Sequence, residues 1–113
     1  MSRRSSGAAK WRAHAPIFAA LGDETRLALV ARLSVGSPQS ISRLTEGTML
    51  TRQAVTKHLR VLESVEIVHC IRRGRKSLFE FDPEPIHELR KYLDRVSEEW
   101  DQALARLKSF VER

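Results

Sequence analysis

Several features that would mark other classes of protein are missing from this sequence. It has a single cysteine, Cys70, which excludes an internal disulfide and fits a reducing cytoplasm. No apolar run approaches the roughly 20 residues that a membrane-spanning helix needs. The first residues lack the apolar stretch of a signal peptide. We therefore expect a cytoplasmic protein with no membrane partner.

Patterns that indicate catalysis are also missing. The chain has no Ser/His/Asp order, no paired carboxylates beside an evident pocket and no glycine-rich phosphate loop. Its 113 residues are enough for one hydrophobic core but not for two. We therefore expect a single domain that is not an enzyme and needs no cofactor.

The positive charge of the chain is concentrated in its middle. The formal net charge is +6. Between Arg52 and Lys76 there are seven cations and two carboxylates, whereas from Pro83 onward six cations face seven carboxylates. A localised basic surface is typical of a protein that binds a polyanion such as nucleic acid.

The N-terminal part divides into a tail and the start of a domain. Residues 1–14 are rich in Ser, Arg and Ala, and we expect a flexible basic tail that either contacts DNA or takes no part. Residues 15–113 then form one domain. Asp23 is predicted to cap a helix that ends at Gly36 and whose buried stripe contains Leu27, Val30 and Ala31, flanked by Leu33.

The stretch from Thr51 to Glu63 predicts a helix that reads DNA. With Thr51 as its N-cap, one side is apolar, and the other carries amide, hydroxyl and cationic groups that can bond base edges and phosphates. The alternative is an ordinary amphipathic helix with a solvated face. The candidate DNA contacts are Thr51, Arg52, Gln53, Thr56, Lys57 and Arg60. His58 points toward the apolar side and is expected to be structural.

A short helix beginning near Ser40 precedes this one and completes a helix-turn-helix. Ser40 and Ser42 lie at its N-terminus, where they are candidate phosphate contacts, although an N-capping role explains Ser40 equally well.

After Val65 the apolar period changes from 3.6 to 2, which predicts a β-hairpin. Residues 67–72 and 77–82 are its strands, and Gly74 supplies the turn. A basic hairpin beside a helix-turn-helix is a wing that can contact the DNA backbone. The alternative is a charged tip that only keeps the sheet edge soluble. The candidate contacts are Arg72, Arg73, Gly74, Arg75 and Lys76.

The last segment, residues 83–111, carries two interleaved seven-residue apolar series that predict a long helix with a dimerisation seam. It either packs across its own domain or pairs with a second copy, and its wide apolar stripe favours pairing. Two copies related by a two-fold axis would place recognition helices in successive major grooves of an inverted repeat. The candidate interface residues are Ile86, Leu89, Leu93, Val96, Trp100, Ala103, Leu107 and Phe110.

The predicted fold is therefore mainly α with a small β-hairpin, a winged helix-turn-helix followed by a long C-terminal dimerisation helix. Three segments, Ala20–Leu27, Leu50–Leu59 and Arg73–Phe81, resemble successive signatures of the ArsR family in order and spacing. These are small dimeric winged helix-turn-helix repressors of bacteria and archaea. The resemblance implies that the first and last helices form the dimer interface and that the central helix reads the operator.

The sequence departs from that family's sensor members at the effector sites. Metal-sensing members have a Cys-x-Cys pair before the recognition helix, where this chain has Ser40–Leu44 without a thiol. Cys70, His69 and His87 do not form a convergent ligand set on their spacing. We expect a homodimeric repressor of double-stranded DNA with no metal, answering to a small-molecule effector, a partner protein or its own concentration. A metal-responsive sensor and a winged-helix module that binds protein are the alternatives.

A second departure is Glu66, where relatives usually have glycine. A glutamate with positive φ would cost about 1 kcal/mol or more, so we expect the chain to leave the recognition helix by a different turn.

Overall fold

The computed structural model describes the backbone of residues 2–112 and the side chains of residues 12–112. Five helices flank a two-stranded hairpin in these residues. The elements are α1 (Ser2–Leu21), α2 (Glu24–Ser34), α3 (Ile41–Thr45), α4 (Arg52–Ser64), β1 (Val68–Arg73), β2 (Lys76–Phe81) and α5 (Glu84–Val111). The predicted fold class, a winged helix-turn-helix with a long last helix, is confirmed.

Side-chain caps set where α2, α3 and α4 begin. Asp23, Ser40 and Thr51 have extended backbones, and each accepts a hydrogen bond from the N–H three residues ahead, at 3.0, 3.1 and 3.0 Å. Each cap satisfies one of the N–H groups that a helix leaves unpaired at its start. The predicted helix starts are confirmed at all three positions.

The core forms where α4 packs onto α2, α3 and the hairpin. Val55, Leu59 and Leu62 of α4 are fully buried, so the inner side of this helix is fixed by packing. The other buried members of the cluster are Ala20, Leu29, Leu33, Leu44, Ile67, Val68 and Phe79. Burial of these side chains stabilises the domain by about 1.5–3 kcal/mol for each large aliphatic or aromatic residue.

The predicted buried stripe of α2 is wrong at Leu27 and Ala31, whereas Val30 packs against the core and the flanking Leu33 is buried, as predicted. Leu29 and Leu33 are the buried residues of this helix, while Leu27 is 52% exposed and Ala31 is exposed. Leu29 and Leu33 are four residues apart and therefore share one face of the helix. That face, and not the one through Leu27, is directed at the core formed with α4.

The chain leaves α4 through a Schellman motif at Glu66. The N–H of Glu66 donates to the carbonyl of Glu63 at 2.9 Å, and the N–H of Ile67 donates to that of Leu62 at 3.1 Å. Glu66 has φ of 64°, the left-handed conformation that this motif requires. The expectation of a different turn is wrong, because the buried Leu62 and Ile67 stabilise the motif despite a side chain at Glu66.

The hairpin pairs β1 with β2 in antiparallel register from Val68–Phe81 to Arg73–Lys76. Gly74 has φ of 63° and is the first residue of the two-residue turn, as predicted.

The free edge of β2 also forms backbone hydrogen bonds with the segment before α3. The backbone N–H and carbonyl of Phe79 pair with those of Gln39 at 2.8 and 3.0 Å. This bridge holds the start of α3 beside the wing.

Helix α1 begins at Ser2, where the sequence predicts a flexible tail over residues 1–14. The alanines of α1 have the highest helix propensity, which favours a helical backbone in this segment. Met1, Arg113 and the side chains of residues 2–11 lie outside the described residues. The contact of the tail cations with DNA stays a prediction.

Helix α5 spans 28 residues and divides into two parts. In its first part, Leu89 is 4% exposed, Ile86 packs on the core, and the Tyr92 ring lies 4.7 Å from the ring of His14. Ile86 and Leu89, predicted for the dimer seam, are therefore packed within their own chain. Beyond Tyr92 the apolar side is open to solvent.

No helix in the described residues 2–112 is both long and apolar enough to cross a membrane.

Candidate nucleic-acid interface

The outward side of α4 is exposed along its length. Arg52, Gln53, Lys57 and Arg60 are exposed, opposite the buried Val55, Leu59 and Leu62. Thr56 is half-buried and donates its hydroxyl proton to the carbonyl of Arg52 at 2.7 Å. Thr51 uses its hydroxyl oxygen to cap the helix. The predicted contact residues therefore share one surface, on which Thr51 also has a structural role.

A groove runs between α3, the first residue of α4 and the wing. This wing groove has a volume of about 480 Å³ and is lined by Ser40, Ile41, Ser42, Arg52, Lys76, Ser77 and Leu78. Its lining contains two cations and three hydroxyls but no carboxylate. Such a set of donors suits the anionic oxygens of a phosphate group. The Gln39–Phe79 bridge creates the groove by placing α3 beside β2.

A second groove lies on the other side of Arg52, along the outer face of α4. This helix groove has a volume of about 370 Å³ and is lined by Ile41, Arg52, Gln53, Thr56 and Lys57. Because both grooves include Ile41 and Arg52, they form a continuous surface from the wing to α4. This surface is rich in hydrogen-bond donors and is centred on residues that the sequence predicts to contact DNA.

The cations of this surface are not neutralised by neighbouring carboxylates. Within residues 12–112, the salt-bridge partners are His58 with Asp23, His69 with Asp82, and Lys91 with Glu88. The wing residues Arg72, Arg73, Gly74, Arg75 and Lys76 are exposed. The surface therefore carries net positive charge, which attracts a polyanion.

His58 is bound within the protein, as predicted. Its Nδ1 lies 3.2 Å from Nη1 of Arg26 and 3.8 Å from Oδ2 of Asp23. Arginine only donates, so Nδ1 is the acceptor in the contact with Arg26. Arg26 also donates from Nε to the carbonyl of Ala20 at 2.6 Å. This network connects the end of α1 and the start of α2 to the middle of α4.

Asp23 has a lowered pKa, chiefly because its carboxylate accepts the backbone N–H of Arg26 and secondarily because the Arg26 and His58 side chains are nearby. Hydrogen bonds to the ionised carboxylate favour it over the protonated form. The cap of α2 is therefore strongest when Asp23 is ionised.

Arg32 positions α3 from the adjacent helix. Its Nη1 donates to the carbonyl of Leu44 at 2.7 Å and its Nη2 to that of Arg43 at 3.0 Å. Both carbonyls lie at the C-terminal end of α3, where the helix leaves acceptors unpaired. Sequence reasoning missed Arg26 and Arg32. Both arginines lie on α2, which packs on the core through two buried leucines. That position is the signal that could have indicated hydrogen bonds within the protein.

Sequence reasoning also missed Ile41, Ser77 and Leu78. Ser40 is the N-cap of α3 and lines the wing groove, so both predicted roles of this residue fit its position. Ser42 lines the same groove. The three missed residues join the surface through contacts between distant segments, among them the bridge between Gln39 and Phe79, for which the sequence contains no local signal.

The residues weighed as metal ligands do not come together in this structure. His69 Nε2 bonds Asp82 Oδ2 at 2.9 Å, and Cys70 is exposed on β1. The pKa of Asp82 is lowered, first by the backbone N–H of Glu84 and then by His69. Among the side chains that the structure describes, no three His, Cys, Asp or Glu residues are close enough to hold one metal ion.

Known proteins resemble both the sequence and the fold. A family model described as a helix-turn-helix domain matches residues 21–71. The chain is 36% identical over 85 residues to the HTH-type transcriptional regulator Rv2034 of Mycobacterium tuberculosis, covering 75% of this chain and 76% of that protein. It is 37% identical over 81 residues to the HTH-type transcriptional regulator YuzN of Bacillus subtilis, covering 66% and 88% of the two chains.

Among solved structures, an ArsR-like transcriptional regulator from Rhodococcus sp. RHA1 superimposes with a TM-score of 0.80. It is 32% identical, and the match covers 88% of this chain and 93% of that one. The match therefore extends over most of the fold. The chain belongs to the ArsR family of winged helix-turn-helix transcriptional regulators.

Proposed function

We propose that the chain is a homodimeric repressor that binds an inverted-repeat operator and does not respond to metal ions. The observation that carries this proposal is the outward side of α4, which stays exposed and positively charged while its opposite side is held in the core. A helix fixed in this way can enter a major groove without rearrangement of the domain.

Within this surface the residues divide by the part of DNA that they suit. Gln53 lies near the N-terminus of α4 and has the paired donor and acceptor that match an adenine edge. Arg52 and Lys76 face the wing groove, where a backbone phosphate would meet both cations. Arg60 lies two turns along α4 and suits a phosphate at the rim of the groove.

The wing supports the same assignment. Its turn carries Arg73, Arg75 and Lys76 on a hairpin that the Gln39–Phe79 bridge holds against the helix-turn-helix. A rigid cationic hairpin beside a recognition helix can follow the phosphate backbone or enter the minor groove.

The part of α5 beyond Tyr92 supports assembly as a homodimer. Trp100, Leu107 and Phe110 are 64%, 58% and 70% exposed, and they recur at the spacing of a helix–helix seam. Leu93 and Leu104 are also exposed in this part of the helix. An apolar stripe of this length is unfavourable in water unless a second helix covers it. Leu89 is buried in its own chain and Ile86 packs against its core, so the proposed interface is Leu93, Val96, Trp100, Ala103, Leu107 and Phe110.

The first experiment selects binding sites from random duplex DNA and measures affinity for the selected sequence by fluorescence anisotropy. We expect an inverted repeat. Gln53→Ala should reduce discrimination at one base pair by about 1–3 kcal/mol, whereas Lys76→Ala should weaken all sequences and lower the salt slope by about 1 per protomer. Arg95→Ala is the matched control, because it removes one exposed cation from α5 outside both grooves. Failure to enrich any sequence at low salt would overturn the proposal.

The metal-independent part of the proposal has a separate test. We expect the affinity for the selected DNA to be the same after a chelator, after added Zn²⁺ and in the untreated protein. A change of tenfold or more with metal would instead support the metal-responsive alternative.

An interaction module that binds protein would keep its activity in the double variant Arg75→Ala and Lys76→Ala. A DNA-binding repressor should instead lose affinity for the selected DNA in this variant.

A further inference from the structure

The helix groove contains an apolar surface that phosphate binding does not explain. Ile41 is half-buried, packs partly against the core, and lines this groove opposite the polar side chains of α4. Arg52, Gln53 and Lys57 suit DNA, but a branched aliphatic side chain has no hydrogen bond to offer. The apolar group that the major groove presents is the C5 methyl of thymine.

Thr56 adds to the same apolar surface. Its hydroxyl proton is donated to the backbone carbonyl of Arg52 at 2.7 Å, so it is not available to a base. What Thr56 offers to the groove is its γ-methyl group and an acceptor oxygen. Ile41 and Thr56 therefore line the groove with aliphatic groups beside the amide of Gln53.

Resting on the proposed function, we propose that Ile41 and Thr56 form a subsite for the thymine methyl group in each half of the operator. Gln53 is placed to bond the adenine edge of the same or the adjacent pair. Ile41 belongs to α3, so the residues that determine sequence specificity are not confined to the recognition helix. Each half-site should then contain an A·T pair at a fixed position.

The expected effect follows from the burial of one methyl group. Burial of one methylene-sized group is worth about 0.8 kcal/mol, which corresponds to about a fourfold change in affinity. Because the proposed dimer uses the subsite twice, loss of the methyl in both half-sites should weaken binding by about 15-fold.

The experiment replaces each thymine of the selected operator in turn by uracil, which keeps the base pairing and removes only the methyl group. With the unaltered protein we expect one thymine of each half-site to be sensitive, by about fourfold. Thr56→Ser removes the matching methyl of the protein and keeps the hydroxyl that bonds Arg52. We expect this variant to lose most of the sensitivity to uracil at that position and at no other.

Two further variants separate a local contact from general weakening. Ile41→Val shortens the aliphatic side chain while keeping most of its packing, and it should reduce the same sensitivity. Lys57 lines the same groove but contributes charge and no methyl contact. Lys57→Ala should therefore weaken binding and leave the sensitivity to uracil intact.

The outcomes distinguish this inference from the function on which it rests. If selection enriches no sequence, the proposed function fails and the thymine subsite fails with it. If a sequence is enriched but no thymine is sensitive to uracil, the function stands and the subsite is overturned. Full sensitivity in both Thr56→Ser and Ile41→Val would also overturn it.

Discussion

Replacement of Glu66 by glycine should stabilise the protein. Glu66 lies in the left-handed region with φ of 64°, at the residue that closes the Schellman motif of α4. A side chain in this conformation costs about 1–2 kcal/mol, because its Cβ approaches the carbonyl oxygen that follows. Glycine does not have this cost.

Two smaller effects modify that gain. Glycine has more freedom in the unfolded chain, which offsets about 0.5–1 kcal/mol. Removal of a carboxylate from the C-terminal end of α4 returns a few tenths of a kcal/mol, because the helix dipole disfavours an anion there. The net expectation for Glu66→Gly is a stabilisation of about 0.5–1 kcal/mol, or an increase in Tm of about 3–6 °C.

Thermal unfolding followed by circular dichroism measures this change, at one protein concentration because the stability of the proposed dimer would depend on concentration. Glu66→Gln is the control, since it removes the charge but keeps the Cβ atom. We expect Glu66→Gln to raise Tm by only about 1–2 °C. If the glycine variant were no more stable than the glutamine variant, the argument from backbone strain at Glu66 would be refuted.

Three other changes should alter stability in ways that the structure specifies. Gly74→Ala should destabilise the wing by about 1 kcal/mol through φ alone, since no atom beyond its two chain neighbours lies within 4 Å of the added Cβ, and should weaken DNA binding in the anisotropy assay. Arg32→Met should cost about 1–2 kcal/mol in urea unfolding, because two carbonyls at the end of α3 lose their donors, and an unchanged midpoint would refute this. Asp23 has a lowered pKa, so its stabilising effect is fully present above its unfolded pKa of about 3.9 and is lost as the pH falls through the folded value. The difference in Tm between the unaltered protein and Asp23→Ala should therefore be constant above about pH 5 and shrink below about pH 4; a difference that persisted at low pH would contradict it.

Local signals in the sequence were sufficient to predict the starts of α2, α3 and α4 and the turn of the wing. Asp23, Ser40 and Thr51 are residues whose side chains cap helices, and Gly74 is a residue that a tight hairpin turn favours. These preferences act over a few residues and hold whatever the tertiary packing. The exposed face of α4 could be predicted for the same reason, because its buried face repeats with the helical period.

Features that depend on contacts between distant segments could not be predicted. The buried face of α2 is set by its packing against the rest of the core, and the local pattern allowed a different choice through Leu27. The wing groove and the position of Ile41 depend on the bridge between Gln39 and Phe79, which are 40 residues apart. Glu66 shows the converse case, in which tertiary packing overrides a local preference.

A footprint of the protein on its selected DNA tests the central claim most directly. That claim is that the outward side of α4 enters a major groove and that a dimer presents it twice. Hydroxyl-radical cleavage of both strands should show two protected segments related by a two-fold axis, with centres separated by a whole number of helical turns of about 10–10.5 base pairs. A single protected segment, or uniform protection along the duplex, would contradict it.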